Sequence, residues 1–258
     1  MREPDAVSPK DRFVTVYGRK PVLEALADRA LAVDKVVLAE NAHGPAVREI
    51  LDAAAGRGVP VRRASAHRVK VLAGNGRHDQ GVLADVVAPR MRPLDAFLAE
   101  LPPGAASVLV LDQITNPANV GMILRTATAA GLAGVVLPRR GVPSVDPLVV
   151  KASAGVAFQA PMLRCSTADG ACSALREAGF EVLGLAGSEG SDLFSARLRP
   201  RSALVLGNET SGVSPAVRAL VQRWLSIPMS GGVESLNVAS AAAVLSFELV
   251  RRRQQGAR

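Results

Sequence analysis

The feature that most constrains the fold is a series of short, largely apolar segments that alternate with longer segments of helical periodicity. Strands are predicted at Val108–Leu111, Gly134–Leu137, Glu181–Leu185, Ala203–Leu206 and Trp224–Ile227. Helices are predicted at Asn119–Ala130, Thr167–Ala178, Pro215–Arg223 and Ser235–Arg252. Strands that are apolar along their whole length are typical of a parallel sheet covered by helices on both faces. The pattern therefore predicts an α/β fold for residues 108–252.

Polar, mostly glycine-bearing turns follow three of these strands. Val108–Leu111 leads to the segment 116–125, Ala203–Leu206 leads to 207–212, and Trp224–Ile227 leads to 228–237. Parallel α/β sheets bind their ligands beyond the carboxyl ends of the strands. We therefore expect the three turns to form one site.

The first part of the chain has the pattern of a smaller α/β unit. Strands are predicted at 34–38, 59–61 and 81–87, and helices at 20–28, 46–57 and 67–72. Residues before position 14 are polar and are expected to lack structure. Prolines and Gly104 between positions 89 and 104 are typical of a linker. The predicted organisation is a small domain at 14–88, a linker at 89–104 and a larger domain at 105–258.

The charge favours a polyanionic partner. The net charge is +8, which suits nucleic acid better than an anionic membrane, although a basic, GC-biased proteome would give the same excess of arginine. Basic residues accumulate between Arg57 and His78, where no acidic residue occurs. This face is predicted to contact RNA phosphates; the alternative is a solvated basic face. The candidate RNA-binding residues are Arg62, Arg63, Arg68, Lys70 and Arg77.

Several classes of protein lack support in the sequence. There is no secretory signal at the N-terminus and no apolar run long enough to span a membrane, so we expect a soluble cytoplasmic protein. Cys165 and Cys172 lack metal-ligand spacing, and no metal site is predicted. The motifs of dinucleotide-binding proteins, P-loop proteins and zinc proteases are also missing.

The larger domain contains no histidine, because His43, His67 and His78 all precede it. A histidine general base and a Ser-His-Asp triad are therefore excluded there. The remaining polar groups suit transfer from a donor that is already activated, such as a sulfonium methyl donor, for which alignment is the main requirement. Backbone groups near Gly207, Ile227 and Leu236 would suit an adenine.

The three turns resemble the motifs of the SpoU (TrmH-like) RNA ribose 2′-O-methyltransferases, a branch of the SPOUT superfamily. The matching segments are Asn119-x-Gly121-x-x-x-Arg125, Gly207-Asn208-Glu209-x-x-Gly212, Ile227-Pro228-Met229 and Glu234-Ser235-Leu236-Asn237-Val238. The first domain resembles the small RNA-binding domain of this family. It does so through Tyr17-Gly18, Val22-x-Glu24-Ala25 and Gln80-Gly81-Val82. The chain departs at Asn116, where the family often has Asp, and at Asn208, where it often has Ala.

The resemblance implies a C-terminal trefoil knot in the parallel-sheet domain, S-adenosylmethionine as the methyl donor, and a homodimer that completes the site. Arg125 would then serve a pocket whose cofactor the other chain holds. The cofactor-binding residues that the resemblance implies are Ala186, Gly207, Asn208, Ile227, Met229 and Leu236. As apolar or small residues of strand ends, Gly207, Ile227 and Leu236 have core packing as an alternative role.

The resemblance also implies roles for polar residues. Arg125 matches the catalytic arginine of the family. A guanidinium stays protonated at neutral pH, which argues against a role as a base. We therefore favour a role in which Arg125 binds the target phosphate and stabilises the developing alkoxide. Asn119 would cap its helix and orient Arg125, and Glu209 would hold Arg125 or the ribose. Ser235 and Asn237 would contact the ribose or the cofactor. The alternatives are a surface arginine, simple helix caps at Asn119 and Ser235, and a structural ion pair at Glu209.

The function that the resemblance implies is S-adenosylmethionine-dependent 2′-O-methylation of RNA, with ribosomal RNA as the first candidate and tRNA as the second. A non-catalytic RNA-binding or assembly factor that keeps the fold is an alternative, and so is methylation of a base. The target nucleotide, and a housekeeping role as against one in antibiotic resistance, are left open by the sequence.

Overall fold

The computed structural model describes residues 11–74, 78–187 and 190–256. The first part of the chain forms a four-stranded sheet in the order β1-β4-β2-β3. β4 is antiparallel to β1 and β2, whereas β3 is parallel to β2. The elements of this unit are β1 (Phe13–Tyr17), α1 (Arg19–Ala27), β2 (Val33–Ala39), α2 (Pro45–Gly56), β3 (Val61–Ala64), α3 (Ala66–Ala73) and β4 (Val82–Val87).

The rest of the chain forms an eight-stranded sheet in which all the recorded strand pairs are parallel. Its strands are β5 (Arg92–Pro93), β6 (Ala106–Leu111), β7 (Gly134–Pro138), β8 (Met162–Cys165), β9 (Glu181–Ala186), β10 (Ser191–Asp192), β11 (Arg201–Leu206) and β12 (Arg223–Ser226). The order is β10-β12-β9-β11-β6-β7-β8-β5. This arrangement confirms the predicted parallel-sheet α/β fold with a small N-terminal sheet domain.

Helices pack on the large sheet. They are α4 (Leu94–Ala99), α5 (Pro117–Ala129), α6 (Pro147–Ala152), α7 (Ala168–Glu177), α8 (Pro215–Arg218) and α9 (Val238–Gly256), with a short 3-10 helix at Val156–Phe158. Buried residues of α5 and α9 share one core cluster with the small domain, whereas α4 and α7 pack in another.

Gly121 lets α5 approach α6 closely. A Cβ added at this position would lie 2.5 Å from the carbonyl oxygen of Val149 and 2.7 Å from the Cβ of Ala152. Backbone does not yield to such contacts, so the glycine of the first motif is required for helix packing. Because α5 also carries Asn119 and Arg125, this packing fixes the helix that presents them.

Several predicted boundaries are wrong. The last helix begins at Val238 rather than Ser235, and α8 ends at Arg218 because Gln222 already donates its backbone N–H to Val182 as β12 approaches. The short strand predicted at 59–61 begins only at Val61. β1, β8 and α6 were not predicted as such, and β8 contains Arg164, which interrupts its apolar pattern.

Residues within the predicted linker, 89–104, form a strand of the large sheet and a helix that packs on it. β5 pairs with β8, and the buried side chains of Leu94 and Phe97 on α4 pack in the core of that domain. Side chains near β1 also bond to the larger part of the chain. Arg139, just after β7, donates from Nη2 to both oxygens of Asp11, which precedes β1, at 2.6 and 2.8 Å. The hydroxyl of Tyr17, the last residue of β1, donates to Asp146 at 3.4 Å. Within the described ranges, no helix is long and apolar enough to cross a bilayer.

Candidate active site

A chain of side-chain hydrogen bonds joins the three turns. Asn237 donates from Nδ2 to Oδ1 of Asn119 at 3.2 Å, and Asn119 donates from its own Nδ2 to the carboxylate of Glu209. Asn119 is buried, whereas Glu209 and Asn237 are exposed. The structure therefore brings one residue from each turn into a connected polar group that opens to solvent.

Helix caps are made by residues other than those predicted. Asn116 caps α5, because its Oδ1 accepts the backbone N–H of Ala118 at 2.9 Å. Asn119 lies inside the first turn, so the prediction that it caps this helix is wrong. At α9 the Oδ1 of Asn237 accepts the backbone N–H of Ala239 at 2.9 Å, and Ser235 precedes the helix. Asn237 therefore both caps α9 and holds Asn119.

The segment 207–214, here called the Glu209 loop, follows β11 and turns tightly. Asn208 and Gly212 exchange two backbone hydrogen bonds of 2.9 Å, and Gly212 has a φ of +69°. A Cβ added at Gly207 would lie 2.4 Å from the carbonyl carbon of Gly212. Both glycines are therefore required by the shape of the loop.

A cavity of about 240 Å³ lies between the ends of β9, β11 and β12 and the start of α9. All the predicted cofactor residues line it, namely Ala186, Gly207, Asn208, Ile227, Met229 and Leu236. Glu209 and Ser235 line it too. No cofactor role was predicted for the lining residues Leu185, Gly187, Leu206, Thr210, Val213, Glu234, Val238 and Ala241, although Glu234 and Val238 belong to the matching motifs. Their position at the same carboxyl edge of the sheet is the signal that would have found several of them.

The cavity suits S-adenosylmethionine in its chemistry. Its walls are mainly aliphatic, which suits an adenine ring, and turn backbones at Gly207 and Gly212 approach it. Glu209 and Glu234 are the charged residues among its lining, and their negative charge favours a cationic sulfonium centre. Among the described residues, no cluster of His, Cys, Asp and Glu could hold a metal ion.

Arg125 lies apart from this polar group. Its side chain is exposed on an outer stripe of α5 that also contains Ala118, Met122 and Ala129. Within the ranges that the structure describes, Arg125 has neither a hydrogen bond nor an ion pair. Within one chain Glu209 forms its hydrogen bond with Asn119 rather than with Arg125. Asn119 and Arg125 are six positions apart in α5, so their side chains lie on different faces of the helix.

The candidate RNA-binding residues have different environments. Arg62, Arg68 and Lys70 are exposed and free to meet a phosphate, whereas Arg63 donates to the carbonyls of Ala39 and Ala42 at 3.0 and 3.1 Å. Arg77 lies outside the described residues.

Arg57, at the start of the predicted basic segment, also bonds to backbone carbonyls of the small domain. Its Nη1 donates to the carbonyls of Ala25, Leu26 and Asp28 at 2.9–3.0 Å, at the C-terminal end of α1. A guanidinium in this position satisfies carbonyls that the helix leaves without partners. Part of the basic segment is therefore structural.

Two family models cover most of the chain. The SpoU rRNA methylase family matches residues 106–247, and the RNA 2′-O ribose methyltransferase substrate-binding family matches residues 15–92. The chain belongs to the SpoU methyltransferase family. Members transfer a methyl group from S-adenosylmethionine to RNA, so the predicted enzyme class and cofactor are confirmed.

Individual relatives agree with this assignment. The chain is 35% identical to the 23S rRNA (guanosine-2′-O-)-methyltransferase RlmB of Xanthomonas axonopodis pv. citri, over 92% of this chain and 96% of the relative. It is 33% identical to an uncharacterized tRNA/rRNA methyltransferase of Mycolicibacterium gilvum, over 93% of this chain and 76% of the relative. The SpoU methyltransferase AviRb of Streptomyces viridochromogenes, solved with AdoMet, superimposes with a TM-score of 0.63 at 25% identity, over 94% and 91%.

Proposed function

We propose that this SpoU methyltransferase methylates a ribose 2′-hydroxyl in ribosomal RNA. The observation that carries the proposal is the hydrogen-bonded group of Asn119, Glu209 and Asn237 beside an aliphatic cavity with acidic residues. Ribosomal RNA is favoured over tRNA because the RlmB relative, which aligns over nearly its whole length, carries 23S rRNA in its name. The exposed basic residues of α3 and β3 suit an RNA partner in either case.

Residues of the cavity would hold S-adenosylmethionine. When bound, S-adenosylmethionine would supply an activated methyl group: the bond from the methyl carbon to the ribose 2′-oxygen forms as the carbon–sulfur bond breaks, the sulfur leaves as a neutral thioether, and the hydroxyl proton is released to solvent. Leu206, Ile227 and Leu236 would exclude water around the adenine. Glu209, fixed by Asn119, would present a carboxylate at the exposed mouth, and Ser235 and Asn237 would contact the sugar. These groups contribute mainly by positioning.

We also propose a homodimer in which each chain lends Arg125 to the cavity of the other. Arg125 points away from its own polar group, so a single chain leaves the predicted phosphate clamp unused. The surrounding surface suits a partner, because Met122 on α5 and Phe247 on α9 are 40% and 51% exposed. Ala243 and Ser240 lie on the same side of α9 as Phe247 and permit close approach.

A charged residue at position 247 tests the dimer. Phe247→Glu is expected to give a monomer in light scattering, with its circular dichroism unchanged and its methyl transfer lost. A variant that remains dimeric would place the interface elsewhere. The matched control is Phe194→Glu, since Phe194 is also exposed, at 48%, but lies in the segment after β10.

The knot, the domain boundaries and the cellular location are proposals as well. The trefoil knot is proposed for the C-terminal part of the larger domain, and the division into domains at 14–88 and 105–258 is proposed from the sequence pattern. A cytoplasmic location is proposed because ribosomal RNA is the favoured substrate.

The decisive experiment is methyl transfer from radiolabelled S-adenosylmethionine to RNA taken from a strain that lacks this protein. We expect label in 23S rRNA and one phosphodiester bond that becomes resistant to alkaline hydrolysis, because a 2′-O-methyl group blocks cleavage there. Label in tRNA would favour the second substrate, and label without a resistant bond would indicate base methylation. Binding of RNA and cofactor without transfer would support a non-catalytic factor.

A further inference from the structure

Asp112 and Gln113, which directly follow β6, hydrogen-bond to the two ends of the Glu209 loop. Near its start, Asn208 donates from Nδ2 to the backbone carbonyl of Gln113 at 3.0 Å. At its end, the backbone N–H of Ser214 donates to Oδ2 of Asp112 at 2.7 Å, and Asp112 is only 2% exposed. The loop that carries Glu209 is therefore clamped at both ends by one short segment.

Both polar atoms of the Asn208 side chain make hydrogen bonds around this loop. Its Oδ1 accepts the backbone N–H groups of Thr210 and Ser211 at 2.9 and 3.0 Å, while its Nδ2 binds Gln113. These three bonds span the residues on both sides of Glu209. Although Asn208 lines the cavity, its Oδ1 bonds within the loop and its Nδ2 bonds to Gln113, which differs from a role as a side-chain ligand of the cofactor.

Gln113 has an unusual backbone conformation. Its φ is +58°, in the left-handed region that residues with a Cβ adopt at a cost of roughly 1 kcal/mol. Its side chain lies against Gly141, where an added Cβ would be 2.7 Å from Nε2. Because φ and ψ at this residue set the direction of its carbonyl, the bond to Asn208 depends on the left-handed conformation.

We propose that Gln113 is a positioning residue, which acts through Asn208 to keep Glu209 against Asn119. Gln113 does not line the cavity, so its influence on the cofactor or the substrate must pass through the Glu209 loop. The proposal rests on the proposed methyl transfer only for its kinetic test.

Substitutions at Gln113 separate backbone conformation from side-chain chemistry. Gln113→Gly and Gln113→Asn adopt the left-handed region readily, whereas the β-branched Gln113→Val does not. We expect the Gly and Asn variants to stay within about twofold of the native kcat and KM for S-adenosylmethionine. Gln113→Val is expected to raise KM about tenfold and to lower kcat, which corresponds to one misplaced hydrogen bond.

Asn208→Ala provides a second route to the same loss, and it keeps the test informative if Gln113→Val fails to fold. It is expected to weaken binding of S-adenosylmethionine by about tenfold or more in calorimetry at 25 °C, because it removes the bond to Gln113 together with those to Thr210 and Ser211. The matched control is Asn41→Ala, since Asn41 is exposed in the small domain. Calorimetry requires no RNA, so it remains valid even if the native protein methylates none of the RNAs offered.

Three results would overturn the proposal. The first is a native kcat and KM in Gln113→Val. The second is an equal loss of activity in Gln113→Gly and Gln113→Val. The third is a lower melting temperature in Gln113→Val and Asn208→Ala while kinetics and cofactor affinity stay unchanged. The first two would remove the role of the left-handed conformation. The third would show that these hydrogen bonds stabilise the fold but do not position Glu209 for transfer or cofactor binding.

Discussion

Asn119 and Glu209, which are 90 positions apart, are joined by a side-chain hydrogen bond at the mouth of the cavity. Asn119 is 4% exposed and also accepts a hydrogen bond from Asn237, so its amide uses both its donor and its acceptor side. A buried amide with both ends occupied has one orientation. It therefore sets the direction of the Glu209 carboxylate.

Asn119→Ala is predicted to lower kcat at least tenfold, or about 1.4 kcal/mol, because Glu209 and Asn237 lose the group that orients them. Steady-state methyl transfer measures this change. Asn119→Asp is expected to lower kcat further, since it places a second carboxylate beside Glu209. Native turnover in both variants would show that the orientation of Glu209 is irrelevant to transfer.

The convergence of the three turns was predictable from sequence because it follows from a general rule. Strands β6, β11 and β12 are parallel, so their carboxyl ends, and the turns that follow, share one edge of the sheet. The choice of helix caps was less predictable. Asn116 and Asn119 both suit a cap, and Pro117, which favours the first helical position, was the signal for Asn116.

Other features depend on packing that a sequence pattern does not encode. β8 is short and carries Arg164, and Gln113 adopts a left-handed conformation that nothing in its residue type indicates. The six-residue spacing of Asn119 and Arg125 places their side chains on different faces of α5, and this could be read from the sequence. Which of the two faces meets Glu209 is set by the packing of α5, and the structure gives that bond to Asn119.

Arg125→Ala is predicted to lower methyl transfer by a factor of about 100 or more while the Kd for S-adenosylmethionine stays native. The physical reason is that Arg125 does not line the cavity of its own chain. In the proposed dimer we expect its guanidinium to meet the RNA phosphate or the developing charge at the mouth of the other cavity, rather than the adenosine of the cofactor. Parallel calorimetry and single-turnover kinetics measure the two effects. Arg125→Lys is expected to retain part of the rate, because it keeps the positive charge.

The control for Arg125 is Arg176→Ala, since Arg176 is exposed on the surface of α7. It removes one positive charge from the same domain without approaching α5. If both variants lose transfer to the same extent, general electrostatic attraction of RNA explains the loss, and the specific role of Arg125 is refuted.

Both cysteines are predicted to react slowly with iodoacetamide in the native protein. Burial raises the pKa of Cys165 to about 11 and that of Cys172 to about 12. Only the thiolate reacts, so at pH 8 the reactive fraction of Cys165 falls about 100-fold below that of an ordinary thiol. Mass spectrometry of samples alkylated with and without urea measures the difference. Equal rates in the two conditions would show that the thiols are accessible and ionised in the native state.

Glu248 anchors the C-terminal part of the helix that Asn237 caps. Its side chain is 3% exposed and accepts hydrogen bonds from Arg251 at 2.7 Å and from Arg252 at 2.6 Å. Arg252 in turn donates to the carbonyls of Leu193 and Ala196. The hydrogen bond from Arg251, followed by that from Arg252, lowers the pKa of Glu248 below its ordinary value of 4.5.

Glu248→Gln is therefore predicted to destabilise the fold by about 2 kcal/mol at pH 7, because Arg252 keeps its partly buried position without its counter-ion. A lowered carboxyl pKa stabilises the native state above pH 4.5, and this contribution is lost as the pH falls through the folded pKa. The difference in melting temperature between the native protein and the variant is thus expected to be largest at pH 7 and to shrink below pH 4.5. A difference that stays constant over this range would contradict the ionised state of Glu248 in the fold.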